Sequence, residues 1–266
     1  MKIVFIWSFY EIYLKNFYVR FPELTTSTYE EQYSSFLKDY FGSPGSQMIN
    51  LLRQKQEAIL IINNCEPLQK KWAQENRCWY EEKNWKFQIA FEQIKRFKPD
   101  IIFTGTPFEG GSFFLDELNK LCAKVFGWIA CPISSDAPLH KLSLILSSSQ
   151  HYVDNFRRIG IDSELLPTSF DSDILMKLSG VEQDISVSFI GGLSNVHHER
   201  VVYLKELAKR TSIKIWGYGL DKEYERSFVD ILRGRNVLQR RYQGEVWGME
   251  MYRIIKRSKI TFNMHI

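Results

Sequence analysis

The sequence predicts an α/β protein made of two open parallel-sheet units in tandem, and three observations carry that expectation. Short β-type runs alternate with amphipathic helical stretches almost throughout, the pattern of a parallel sheet covered by helices on both faces. The run over residues 58–62 is wholly aliphatic, as a strand buried on both sides requires. The alternation fades between Thr168 and Asp184 and then begins again.

The first strand covers residues 2–10. Although the start is apolar, Glu11 and Lys15 interrupt it and no small-residue cleavage site follows, so a buried strand fits better than a signal peptide. A long helix is expected over residues 29–40, where Tyr29, Tyr33, Phe36, Leu37 and Tyr40 recur at three- and four-residue steps. Thr28 is its N-cap and Glu31 the capping-box partner. After the strand over 58–62 come helices over 68–75 and 86–97, the second with Phe87, Ile89, Ala90, Ile94 and Phe97 on one face. Pro99 and Asp100 stop it and introduce a strand over 101–104. A helix over 113–121, strands over 125–130 and 142–146, a helix over 153–159 and a short strand at 165–166 complete the first unit.

The second cycle has strands over 185–190, 213–216 and 260–262, with helices over 197–210 and 250–257. The expected organisation is therefore a Rossmann-like unit over residues 1–168, a linker over 169–184 and a second unit over 185–266. A nucleotide-binding half calls for five or six strands, so the second unit reads as incomplete and the chain as truncated at its C-terminal side.

Composition narrows the class. With 44% hydrophobic and 25% charged residues, and only 15 Gly and 8 Pro among 266, the chain is neither disordered nor low-complexity. No apolar run approaches the roughly 18 residues of a membrane span. The four cysteines, Cys65, Cys78, Cys122 and Cys131, form no C-x-x-C pair, which argues against a zinc ribbon or disulfide framework and for a cytoplasmic setting. Residues 1–167 hold 19 basic and 19 acidic groups while 168–266 hold 16 and 12, so the surplus of four lies in the second unit. That excess suits a phosphate-bearing ligand but is too small to argue for nucleic acid.

Ligands of open α/β sheets sit beyond the carboxyl ends of the strands, which directs attention to the loops that follow them: 8–13, 104–112, 132–138, 191–198, 217–220 and 244–248. The strongest is Gly191-Gly192 after a buried strand and before a helix with His197, His198, Glu199 and Arg200 in its first turn. Glycine admits close approach of a phosphate, and a helix N-terminus supplies N–H groups and partial positive charge. The alternative is a plain strand-to-helix turn. The pattern is neither G-x-G-x-x-G nor G-K-[ST]. Gly217, Tyr218 and Gly219 repeat the logic after the next strand, and Gly244, Glu245 and Val246 do so before the last helix, with turn chemistry as the alternative in each case.

In the first unit, Glu109 lies in the glycine-rich loop over 104–111 and Asp136 in the loop over 134–138. Both are acid–base candidates by position, with turn or surface roles as the alternative. His140 and His151 read as surface or packing residues. Adjacent His197 and His198 point about 100° apart on a helix, which disfavours a metal pair. Arg233, Arg235, Arg240 and Arg241 read as a solvated edge, with phosphate or peripheral membrane contact as the minority alternative.

The order of Phe189-Ile190-Gly191-Gly192-Leu193, His198-Glu199-Arg200, Ile215-Trp216-Gly217-Tyr218-Gly219, Tyr242-Gln243-Gly244-Glu245-Val246 and Ser258-Lys259-Ile260-Thr261-Phe262-Asn263 resembles the group-1 glycosyltransferases of GT-B fold, and most closely their spore-maturation-type branch. The specific part of the resemblance spans residues 185–266; before that it is one of architecture. It implies two domains facing a cleft and transfer of a sugar from a nucleotide diphosphate sugar to a hydroxyl of a glycan, protein or small-molecule acceptor. It implies no metal and no cofactor beyond that co-substrate. Gly191 and Gly192 would approach the diphosphate with Arg200 near its charge, and residues 217–219 and 244–246 would line the nucleotide pocket. Phe9, Phe108, Glu109 and Asp136 would lie on the acceptor side, with the two carboxylates as catalytic candidates. A sugar-nucleotide epimerase and a non-catalytic module of a polysaccharide assembly system are the competing readings.

Overall fold

The structure is a computed structural model that describes residues 1–193, 198–219 and 237–264. The chain divides into two compact units, Met1–Phe170 and Asp171–Ile266. Each is an α/β unit on an open parallel sheet, in line with the expected fold class.

The first unit holds strands β1 (Lys2–Trp7), β2 (Glu57–Ile62), β3 (Ile101–Thr104), β4 (Val125–Trp128), β5 (Leu144–Ser147) and β6 (Ser163–Leu165), ordered β2-β1-β3-β4-β5-β6. All five pairings are parallel, with Val4 opposite Ile59 on one side and Ile102 on the other. Val4, Ile6, Ile102, Val125 and Ile145 are wholly buried and pack with Ile94, Leu115, Leu118 and Phe156. Burial of each such side chain contributes about 1.5–3 kcal/mol, which makes this cluster the backbone of the unit's stability.

The helices of the first unit are α1 (Glu11–Arg20), α2 (Tyr29–Asp39), α3 (Pro44–Arg53), α4 (Glu66–Glu75), α5 (Trp85–Phe97), α6 (Gly111–Leu121) and α7 (Gln150–Arg158). The capping box of α2 forms as expected: Thr28 accepts from the Glu31 N–H, and Glu31 accepts from the Thr28 N–H at 2.9 Å. Two helices, α1 and α3, have no counterpart in the sequence expectation. Helix α1 is anchored by aromatic packing, with the Tyr13 and Phe41 rings stacked 3.6 Å apart and those of Phe17 and Phe36 3.8 Å apart. Arg20 and Tyr13 both donate to the buried Asp39 carboxylate, tying α1 to α2. The first strand is also shorter than expected, ending at Trp7, because Tyr10 caps α1.

The second unit holds α8 (Ser172–Lys177), β7 (Ile185–Ile190), α9 (His198–Arg210), β8 (Lys214–Trp216), α10 (Val237–Arg241), α11 (Gly248–Arg257) and β9 (Ser258–Phe262). Its sheet is ordered β8-β7-β9, again parallel. Phe189, Leu204, Ala208, Ile215 and Leu238 form its core. The stretch read as a linker contains helix α8: Asp171 accepts from the Asp173 N–H at 3.0 Å, and Ile174 and Leu178 are buried. No helix among the described residues is long and apolar enough to cross a membrane.

The two sheets share one topology at their start. In each, the second strand lies on one side of the first and the third on the other. The chain thus reverses its direction of winding between β1 and β3, and again between β7 and β9, and a crevice opens beyond the strand ends at such a point.

Candidate functional site

In the second unit the three glycine-bearing turns come together at the carboxyl end of the sheet. Tyr242 extends the sheet by a parallel bridge to Ile215, which brings the turn over 244–246 beside that over 217–219. Gly191 N–H donates to Trp216 O at 3.1 Å, Gly217 N–H to Gly244 O at 3.1 Å, and Leu193 N–H to Tyr218 O at 2.9 Å. The turns are therefore laced by backbone hydrogen bonds into one surface. Tyr242 Oη donates to Gly217 O at 2.7 Å and closes the lacing from below.

Two of these glycines are required by space. A Cβ on Gly217 would lie 1.8 Å from Gly191 O, and one on Gly191 would lie 2.9 Å from the Phe189 ring. Gly219 (φ 89°) and Gly244 (φ 100°) occupy the left-handed region that glycine favours. The Tyr218 ring stacks on Trp247 with centroids 5.4 Å apart, and Trp247 Nε1–H donates to Glu245 at 3.2 Å. Val246 is half-buried in the same turn.

Arg200 sits in the first turn of α9, and its guanidinium has a specific occupation. Nη1 donates to Gly192 O at 3.1 Å, Nε and Nη2 donate to Met264 O at 3.1 and 2.6 Å, and the group lies over the Phe189 ring. It holds the glycine turn after β7 against the segment after β9. Ser194 and His197 of this loop, Leu220, and Arg233 and Arg235 of the basic cluster lie outside the described residues. Arg241 Nε–H donates to Ala208 O at 3.4 Å, a packing role on α9.

In the first unit, Glu109 stands in a polar cluster at the switch between β1 and β3. Its carboxylate receives Lys86 Nζ on one oxygen and the Ser8 hydroxyl on the other, and Ser8 Oγ lies 2.8 Å from Asn63 Oδ1. Partial burial pushes the Glu109 pKa upward, but hydrogen bonds from Lys86 and Ser8 and the Lys86 charge outweigh it and hold the group below its ordinary value. Glu109 is thus an ionised acceptor of hydrogen bonds at neutral pH, and a weak base.

The other first-unit candidates take no part in that hydrogen-bonded cluster. Asp136 is exposed and hydrogen-bonded to Ser134 within its own turn, which lowers its pKa. Phe9 is buried, its ring edge-on to Tyr13 and Phe41, so it shapes the end of β1 from within. Phe108 is half-buried against the main core. His140 and His151 are exposed, the latter paired with Asn155 at 2.9 Å. Among the described residues no group of three or more His, Cys, Asp or Glu is arranged to hold a metal.

Sequence reasoning singled out neither Lys86, Asn63 nor Trp247, and it took Ser8 only as the edge of a loop. Lys86 and Asn63 carry no local signal, being 23 and 46 positions from Glu109 along the chain. Trp247 had one available: an aromatic two residues past Glu245 and directly before a helix.

No family model matches the chain, and no curated protein does. The spore-maturation-type branch therefore has no sequence match behind it. One solved structure that is similar is that of UDP-GlcNAc 2-epimerase from Methanocaldococcus jannaschii, with a TM-score of 0.47 and 12% identity over 98% of this chain and 78% of that one.

Proposed function

We propose that the protein is a glycosyltransferase that takes its sugar from a nucleotide diphosphate donor. The observation that carries the reading is the convergence of the Gly191, Gly217 and Gly244 turns at the carboxyl end of the second sheet, with no room for a Cβ at two of them. A surface of bare backbone admits a diphosphate closely, and the N-terminus of α9 faces the same end with its partial positive charge. In this reading the base packs near Tyr218, Glu245, Val246 and Trp247. Arg200 acts by holding the Gly192 turn in place.

In the proposed reaction the acceptor oxygen forms a bond to the sugar's anomeric carbon, and the bond from that carbon to the diphosphate oxygen breaks. The hydroxyl proton leaves, and the nucleoside diphosphate departs as the leaving group. Charge on that group is met by the N-terminus of α9 in place of a metal. The acceptor lies on the first unit, near Phe9, Phe108, Glu109 and Asp136. Asp136, exposed on its turn and without a cation partner among the described residues, is the candidate to receive the proton; Glu109, already engaged by Lys86 and Ser8, instead binds. The setting proposed is the cytoplasm, where nucleotide sugars are available as substrates.

Calorimetric titration with UDP, GDP and dTDP tests the donor reading. One of the three should bind, and Gly217→Ala should abolish that binding. If no nucleotide binds the folded protein, the donor reading fails. Incubation with the matching nucleotide sugar alone separates the epimerase alternative, which would return an inverted sugar still attached to its nucleotide.

A further inference from the structure

The polar cluster at the β1/β3 switch is built from four elements that are distant in sequence. Ser8 follows β1, Asn63 follows β2, Lys86 opens α5, and Glu109 belongs to the β3–α6 loop. The loop that carries Glu109 is held tightly. A Cβ on Gly105 would fall 1.9 Å from the Trp7 ring, and one on Gly110 would fall 2.5 Å from Phe114 and 3.0 Å from Phe87. Thr104 is wholly buried, and its hydroxyl accepts from the Thr106 N–H at 3.3 Å. On the other side Asn64 clasps the Phe9 backbone, accepting from its N–H at 2.9 Å and donating to its carbonyl at 2.7 Å. Both flanks of the cluster are thus fixed by the fold, while the Lys86 and Glu109 side chains remain 26% and 30% exposed.

The composition of this cluster selects a ligand class. It carries one cation and one anion, which cancel, together with a half-buried hydroxyl that donates and accepts, backed by the buried Asn63 amide. Ser8 has a single proton for two neighbouring acceptors, Asn63 Oδ1 and Glu109, so when it donates to Asn63 the Glu109 oxygen keeps a lone pair for a ligand hydroxyl. A phosphate placed here would stand beside the Glu109 carboxylate, and an ammonium ion would stand beside Lys86; either brings like charges together in a partly desolvated crevice. Hydroxyl groups incur neither cost. A pair of neighbouring hydroxyls donates to Glu109 and accepts from Lys86 without changing the net charge.

We infer that Ser8, Lys86 and Glu109, backed by the buried Asn63, form a binding site for a neutral polyhydroxyl ligand, a sugar that carries neither phosphate nor amine at the hydroxyls engaged here. The inference rests on the reading of the first unit as the acceptor side and gives that acceptor its class. Glu109 and Lys86 bind and orient it, and selectivity follows from their mutual neutralisation.

Ligand-observed NMR on the full chain tests this, with the methyl glycosides of glucose, galactose and mannose as probes beside glucose 6-phosphate and glucosamine. At least one neutral glycoside should bind, with the charged sugars weaker by about tenfold or more. Lys86→Met, which keeps the aliphatic stem, and Ser8→Ala should each weaken the glycoside about tenfold and leave nucleotide binding by the second unit unchanged. Absence of binding by every glycoside, equal binding of the charged sugars, or full affinity in both variants would overturn the inference. Glycoside binding without nucleotide binding would uphold this site while refuting the donor reading.

Discussion

The two sheets begin with the same strand order and place their candidate sites at the same point, yet the sites are made of different material. At the β1/β3 switch the surface is side chain: a serine, a lysine and a glutamate over a buried asparagine, with opposite charges cancelled. At the corresponding end of β7 it is backbone, with glycine in each of three turns and hydrogen bonds running from turn to turn. A side-chain surface discriminates among hydroxyls through matched donors and acceptors. A backbone surface has little to discriminate with, but it lets a bulky anion come close to the N-terminus of the helix that follows. Topology sets where each site lies, and residue type decides which ligand it suits.

The sharpest way to break this contrast is to put a side chain where the second site has none. In Gly217→Ala the new Cβ meets the Gly191 carbonyl, a backbone atom that cannot rotate away, and about 3 kcal/mol of the second unit's stability should be lost. Urea unfolding followed by hydrogen exchange should show early opening of β7 and β8 with β1 to β5 unaffected. Next in size is Lys86→Met, whose effect belongs to the first site alone: about a tenfold loss of glycoside affinity with unchanged nucleotide affinity. Trp247→Leu is its counterpart in the second site. Removing the ring stacked on Tyr218 should weaken nucleotide binding about fivefold, the worth of an aromatic pair, with glycoside binding intact.

Smaller effects sharpen the comparison as controls. Thr28→Ala removes the capping box of α2, remote from both sites, and should cost about 1 kcal/mol in the first unit without altering either affinity. The pH dependence of Glu109 is the subtlest. Its folded-state pKa lies below the unfolded value, so its contribution to stability is complete above the unfolded value and is lost as pH falls through the folded one. Denaturation followed from pH 6 to about pH 3 should therefore show a gentler acid slope for Glu109→Gln than for the parent.

Much of the fold was legible because its signals are local. The aliphatic run over 58–62 became β2, and Thr28 with Glu31 marked the start of α2 to the residue. Helices α1 and α3 escaped notice for a physical reason. Neither has a side-chain cap, α3 opens on Pro44-Gly45, and α1 is crowded with aromatics whose partners, Phe36 and Phe41, lie on later segments. Helix α8 was hidden in a polar stretch whose helical signal is one Asp171 cap over two buried residues. The second site was largely readable, since glycines after strands mark it directly. Of the first site only Glu109 and its glycine-rich loop stood out; Ser8, Asn63 and Lys86 join it through strand order, and no local pattern announces that.

The account's central claim is that the chain moves a sugar from a nucleotide to a neutral hydroxyl acceptor. The most direct test is mass spectrometry of the full chain incubated with UDP-, GDP- and dTDP-hexoses together with the methyl glycosides. The account predicts a glycoside heavier by one hexose residue, formed in equal amount with the nucleoside diphosphate released. An inverted sugar still attached to its nucleotide, or a released nucleotide with no glycosylated product, would contradict it.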